Sequence, residues 1–123
     1  LCDGPPPSGP RVWEATRFCP APGTPRGSAR HEALLRMIGA IMETGLLFGI
    51  ERITYVASAA LAPLAEGAGW SVAPLGAEKR VGREKLRAYV ADIDSSGLKR
   101  VREALGATAP LTRFTPGALA RAA

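Results

Sequence analysis

Two β-rich runs, VWEATRFC at 12–19 and ERITYVAS at 51–58, flank one long helical stripe, and no other feature restricts the fold as much. Within the stripe, Leu34, Met37, Ile38, Ile41 and Met42 recur at helical spacing, which puts them on one face of a helix over about 29–48. Ser28 is placed to cap its start, and Gly49 suits the left-handed residue just past its end. Gly39 and Gly45 weaken the helix locally and mark it for close packing against a sheet. A strand, a long helix and a second strand require a crossover connection, so the two strands run parallel.

The remaining elements follow from punctuation and periodicity. LCDGPPPSGP (1–10) is neither helix nor central strand, because proline fixes φ and lacks a donor. Pro20 and Pro22 stop the first strand, and APGTPRGS (21–28) is a loop. After the second strand comes a short helix ending near 67–69, with Pro63 in its first turn, so it starts no earlier than about Ala60. WSVAPL (70–75) and LRAYVADI (86–93) read as strands, and the charged, glycine-bearing loop between them predicts an antiparallel hairpin. A last helix at 95–105 turns Leu98, Val101 and Leu105 inward, with Asp94 or Ser95 as its cap and Gly106 as its stop. The expected architecture is one α/β domain, a mixed sheet with flanking helices: a lead-in at 1–10, a core at 11–105 and a patternless tail at 106–123.

At 123 residues and 46% hydrophobic content the chain can bury one core. A net charge of +5 favours an anionic partner. The densest basic cluster, EKRVGREKLR at 78–87, is interleaved with acids and lacks stacking aromatics, so nucleic-acid binding is not expected. No apolar stretch reaches the ~20 residues a membrane helix needs, and no signal peptide is visible. Cys2 and Cys19 then read as reduced thiols of a cytoplasmic protein, and with His31 alone they supply no metal site. The start at Leu1 rather than Met, with a lead-in running straight into a strand, reads as an N-terminally truncated piece.

No G-x-S-x-G elbow, Walker loop or G-x-G-x-x-G is present, and His31 reads as a solvent-facing residue at a helix start. Glu14 is the chemically distinctive group. It lies between Trp13 and Phe18 in an apolar strand, where a carboxylate must be paired or carry a raised pKa. A plain ion pair with Arg17 and a functional role both satisfy that demand. Strand alternation sends Glu14 and Arg17 to opposite faces, so a shared site requires a bulge or kink between Glu14 and Phe18.

VWEATRFCP resembles the W-E-x-[ST]-R-[FM] strand of LuxI-type acyl-homoserine-lactone synthases. GIERITYVASAALAPLAEGAGW resembles that family's strand–helix segment ending in Gly-Trp, and APLGAEKRVGREKLRAYVADID its following hairpin. The resemblance covers about 11–94 and implies an acetyltransferase-like (GNAT) fold. It implies synthesis of a quorum-sensing signal from S-adenosylmethionine, as substrate, and an acyl group on carrier protein or coenzyme A. Glu14 would be the base that deprotonates the amine, through a water, and Arg17 would anchor an ion-pair network. Thr16, Phe18, Ile38, Ile41, Tyr55, Ala57, Leu61 and Leu64 would line the acyl chain, with Tyr55 near its third carbon. Arg26, Arg30, Lys79, Arg80 and Arg83 would meet an acidic carrier. The family's N-terminal segment that closes over S-adenosylmethionine has no counterpart before Leu1, and its usual Arg-Met pair is Ala60-Leu61 here. The chain alone is therefore expected to be inactive. The alternatives are another acyl-CoA-dependent N-acyltransferase of the same fold, and a non-catalytic relic or binding domain.

Overall fold

The computed structural model describes residues 1–19, 21–58, 61–67 and 69–113. Strand β1 (Val12–Ala15) leads into helix α1 (Ser28–Leu47), strand β2 (Arg52–Ser58) and helix α2 (Ala62–Gly67). Strands β3 (Val72–Pro74), β4 (Lys79–Val81) and β5 (Glu84–Asp92) follow, then helix α3 (Ser95–Leu105). The sheet order is β1-β2-β5-β3, with β4 also on β5. β1 and β2 are parallel, as the crossover requires, and all other pairings are antiparallel. This is the expected mixed sheet with flanking helices.

The structure departs from the sequence reading most at the end of β1, at the cap of α1 and in an added strand. β1 stops at Ala15 rather than running to Cys19, because Arg17 takes a left-handed backbone (φ 56°) that no strand can contain. The cap of α1 is Gly27, not Ser28, and it offers no side-chain oxygen to the first turn. The loop between the third strand and the last holds an extra strand, β4, which turns through Gly82 onto the start of β5. Its three residues are all exposed, so no hydrophobic alternation announces it.

The end of α1 follows expectation. Gly49 is left-handed (φ 71°), Ile50 N donates to Gly45 O at 2.8 Å and Gly49 N to Leu46 O at 3.2 Å, the paired bonds of a Schellman stop. Asp94 caps α3 by accepting from Gly97 N at 2.6 Å. All three helices feed one core against one face of the sheet: Leu35, Ile38 and Met42 of α1, Ala65 of α2, and Leu98 and Val101 of α3 meet Ile53 and Ala91. The lead-in ties both edges of the sheet, since Asp3 N donates to Leu75 O at 2.9 Å while Arg11 O accepts from Glu51 N at 2.8 Å. No described helix is long and apolar enough to cross a membrane.

The tail, patternless in sequence, is docked through Thr112. The Glu43 carboxylate, its side chain only 7% exposed, accepts from Arg102 Nη2 at 2.8 Å and from the backbone N–H of Leu111 and Thr112. Burial opposes its charge, but these donors prevail and hold its pKa below the ordinary value of 4.5. A carboxylate more acidic in the folded state stabilises fully above its unfolded pKa, and that contribution is lost as pH falls through the folded value. Glu43→Gln is thus expected to cost about 2 kcal/mol at neutral pH. Urea denaturation should show the gap between variant and wild type closing below pH 4.5.

Candidate functional site

β1 pairs with β2 only from Val12↔Arg52 to Ala15↔Tyr55. Beyond that point Val56, Ala57 and Ser58 have β5 on one side and, among the described residues, no strand on the other. A cleft of about 280 Å³ opens in that space. Its wall takes Ala15 to Phe18 from the kinked segment, Ile38 and Ile41 from α1, and Leu61, Leu64 and Ala65 from around α2. Tyr55, Val56 and Trp70 complete it.

The kink between Glu14 and Phe18 is the left-handed residue itself. Register puts Glu14 beside Thr54, on the face away from Ile53 and the helices, while Ala15 lies beside Tyr55. The chain turns at Arg17, and Glu14 and Arg17 both border the cleft. A left-handed non-glycine residue costs about 1–2 kcal/mol, and such strain gathers where a site needs a side chain re-aimed. Glu14 is exposed and takes part in none of the three ion pairs among the described residues. The ion pair with Arg17 that the sequence allowed is not formed, and Glu14's face of the strand is open to water.

Of the remaining residues singled out for the acyl chain, Thr16, Phe18, Ile38, Ile41, Tyr55, Leu61 and Leu64 all border the cleft. Ala57 does not: it is buried opposite Arg87 in the β2–β5 ladder. Trp70, Ala65 and Val56 belong to the wall without having been singled out. Trp70 carried a signal, the Gly-Trp ending. Its indole N–H donates to Asp92 O at 2.8 Å and its ring stacks on Tyr55 with centroids 6.0 Å apart. Trp13 is 37% exposed and leans on Phe48 (ring centroids 5.8 Å apart) rather than entering the core.

The cations gather at one end of the sheet. β5 runs against β2, and α1 returns from the end of β1 to the start of β2. The beginnings of α1 and β5 therefore lie where β1 and β2 finish. Arg26, Arg30, Lys79, Arg80 and Arg83 are all exposed there, and none joins an ion pair among the described residues. Arg30 lines a shallow hollow with Phe18, Ser58 and Leu61, directly beside the cleft. His31 is exposed at the start of α1, and no group of three potential metal ligands occurs among the described residues.

The place of Tyr55 in the wall perturbs it strongly. Its buried hydroxyl has no hydrogen-bond partner, and burial, reinforced by Tyr89 and Glu66, pushes its pKa to about 12. Because the folded state holds this proton more tightly than the unfolded state, the Tyr55 contribution to stability is constant below pH 10 and falls as pH rises from 10 towards 12. An ultraviolet absorbance titration should show one tyrosine ionising near pH 12, absent in Tyr55→Phe. That variant should also be more stable by about 1 kcal/mol, since it removes an unpartnered buried hydroxyl.

No protein-family model and no curated protein sequence matches the chain. Solved structures do. The CoA-dependent acyl-homoserine lactone synthase BjaI, solved with MTA and with SAM and isopentyl-CoA, superposes with a TM-score of 0.77 at 26% identity over 94% of this chain. A second CoA-dependent synthase, MesI, gives 0.74 at 21% over 88%, and the synthase LasI gives 0.67 at 21% over 87%. The chain spans about half the length of these proteins, 54% of BjaI and 53% of MesI.

Proposed function

We propose that this chain, which has the fold of the acyl-homoserine lactone synthases, forms the acyl-donor half of such an enzyme's active site. The observation that carries the reading is the open cleft beside Tyr55, bordered at once by Glu14, Arg17 and an apolar wall. A relic would have let side chains fill it. An unrelated acyltransferase of this fold would have no reason to keep Glu14 at its edge.

The chemistry needs two things from these residues. The ammonium of S-adenosylmethionine must lose a proton before its lone pair can attack a thioester. Glu14, exposed at the cleft edge, accepts that proton through a water, consistent with general-base catalysis. The new C–N bond forms as the C–S bond of the thioester breaks, and the departing thiolate takes up a proton. The substrate's own carboxylate oxygen then attacks the γ-carbon that bears the sulfonium, breaking its C–S bond to release methylthioadenosine and closing the five-membered lactone. Arg17 faces the same opening and offers a cation to the substrate carboxylate.

The acyl tail lies against Ile38, Ile41, Leu61, Leu64 and Trp70, where burial of its methylenes supplies about 0.8 kcal/mol each. The edge of β2 at 56–58, unpaired on the cleft side, suits the extended amide-bearing arm that carries the thioester. Arg26, Arg30, Lys79, Arg80 and Arg83 then steer the donor's phosphates to that end of the sheet. The CoA dependence of BjaI and MesI favours acyl-CoA over acyl carrier protein as donor. An enzyme that draws on acyl-CoA and S-adenosylmethionine would work in the cytoplasm.

The test is mass-spectrometric detection of acyl-homoserine lactone made by the protein carrying this chain, from S-adenosylmethionine and a panel of acyl-CoAs. Lactone should form, Glu14→Gln should slow turnover about a hundredfold, and Ile41→Trp should abolish use of longer acyl chains by filling the cleft. Absence of lactone with every donor overturns the reading.

A further inference from the structure

Helix α1 is weakest where the cleft needs it firm. Ile38 and Ile41, which wall the cleft, stand on either side of Gly39 and Ala40. Gly39 and Gly45 each weaken the helix relative to alanine. Its start has no side-chain cap and no acid in the first turn. Propensity does not hold such a helix in place, so tertiary contacts must.

The C-terminal tail supplies two of them, one helical turn apart. Glu43 accepts from Leu111 N at 2.7 Å, from Thr112 N at 2.9 Å and from Thr112 Oγ1 at 2.8 Å, and Arg102 of α3 holds the same carboxylate at 2.8 Å. The Leu111 side chain occupies the notch that Gly39 leaves. A Cβ at that position would lie 3.3 Å from Val101 Cγ1 and closer still to Leu111 Cδ1. Neither Leu111 nor Glu43 borders the cleft, so both reach it only through the helix.

We propose that residues 107–112 are a latch that keeps α1 seated beside the cleft, with Glu43 and Leu111 as its two fastenings. Both are positioning residues. The inference holds whatever ligand the cleft takes, because it rests on the helix that forms the wall.

Hydrogen exchange followed by mass spectrometry on the full chain tests it. Leu111→Ala and Glu43→Gln should each speed exchange at 37–42, together with 111–112, about tenfold more than at β2 and β5, whose rates rise only with the global loss of stability. Leu111→Met, which refills the notch, should restore wild-type exchange in α1. Faster exchange confined to 111–112, an equal rise throughout the sheet, or failure of Leu111→Met to restore the helix would each overturn the latch.

Discussion

The parting of β1 from β2 after Ala15 is the constraint on which the rest of the structure depends. Four paired residues anchor the strands, and the left-handed turn at Arg17 then takes the chain off the sheet. Three consequences come from that single break. The edge of β2 at 56–58 is left without a strand on one side, the space beside Tyr55 is left unfilled, and Arg17 is brought to the opening that Glu14 borders. A continuous strand to Cys19 would have zipped the cleft shut and kept the two charged groups on opposite faces.

Keeping such a cleft open sets a task for the helix beside it. α1 contributes Ile38 and Ile41 to the wall and Leu35, Ile38 and Met42 to the core, yet it carries glycine at 39 and 45 and begins without a cap. Its position is therefore set by what it touches: the core beneath it, α3 beside it, and the docked tail across Gly39 and Glu43. Packing of this kind is specific but costs entropy to assemble, so it is most sensitive to changes in shape at the contact.

Much of this was legible in the sequence, and the parts that were not share a physical cause. The stripe from Leu34 to Met42, the left-handed Gly49, the Asp94 cap and the parallel pairing of the first two strands all rest on local periodicity or local backbone chemistry. The W-E-x-T-R-F run made the kink a requirement before it was seen, since Glu14 and Arg17 cannot share a face of a regular strand. What escaped was either short and exposed, as β4 is, or non-local. Glu43 looks like any surface glutamate of a helix until the chain 68 residues later returns to it, and no window of sequence contains that contact. Ala57 was misplaced for the same reason. It shares a strand face with Tyr55, but it is buried within the β2–β5 ladder and does not border the cleft.

The most direct test of the central claim is to find where an acyl-CoA sits on this chain. Titration of the isotopically labelled chain with isopentyl-CoA, followed by amide NMR, should shift Phe18, Ile41, Val56 and Ser58, which border the opening or its β2 edge, and leave β3 unchanged. Saturable shifts confined to that set are the expected result. Shifts centred elsewhere, or none at millimolar ligand, would contradict an acyl-donor site between β1 and β2.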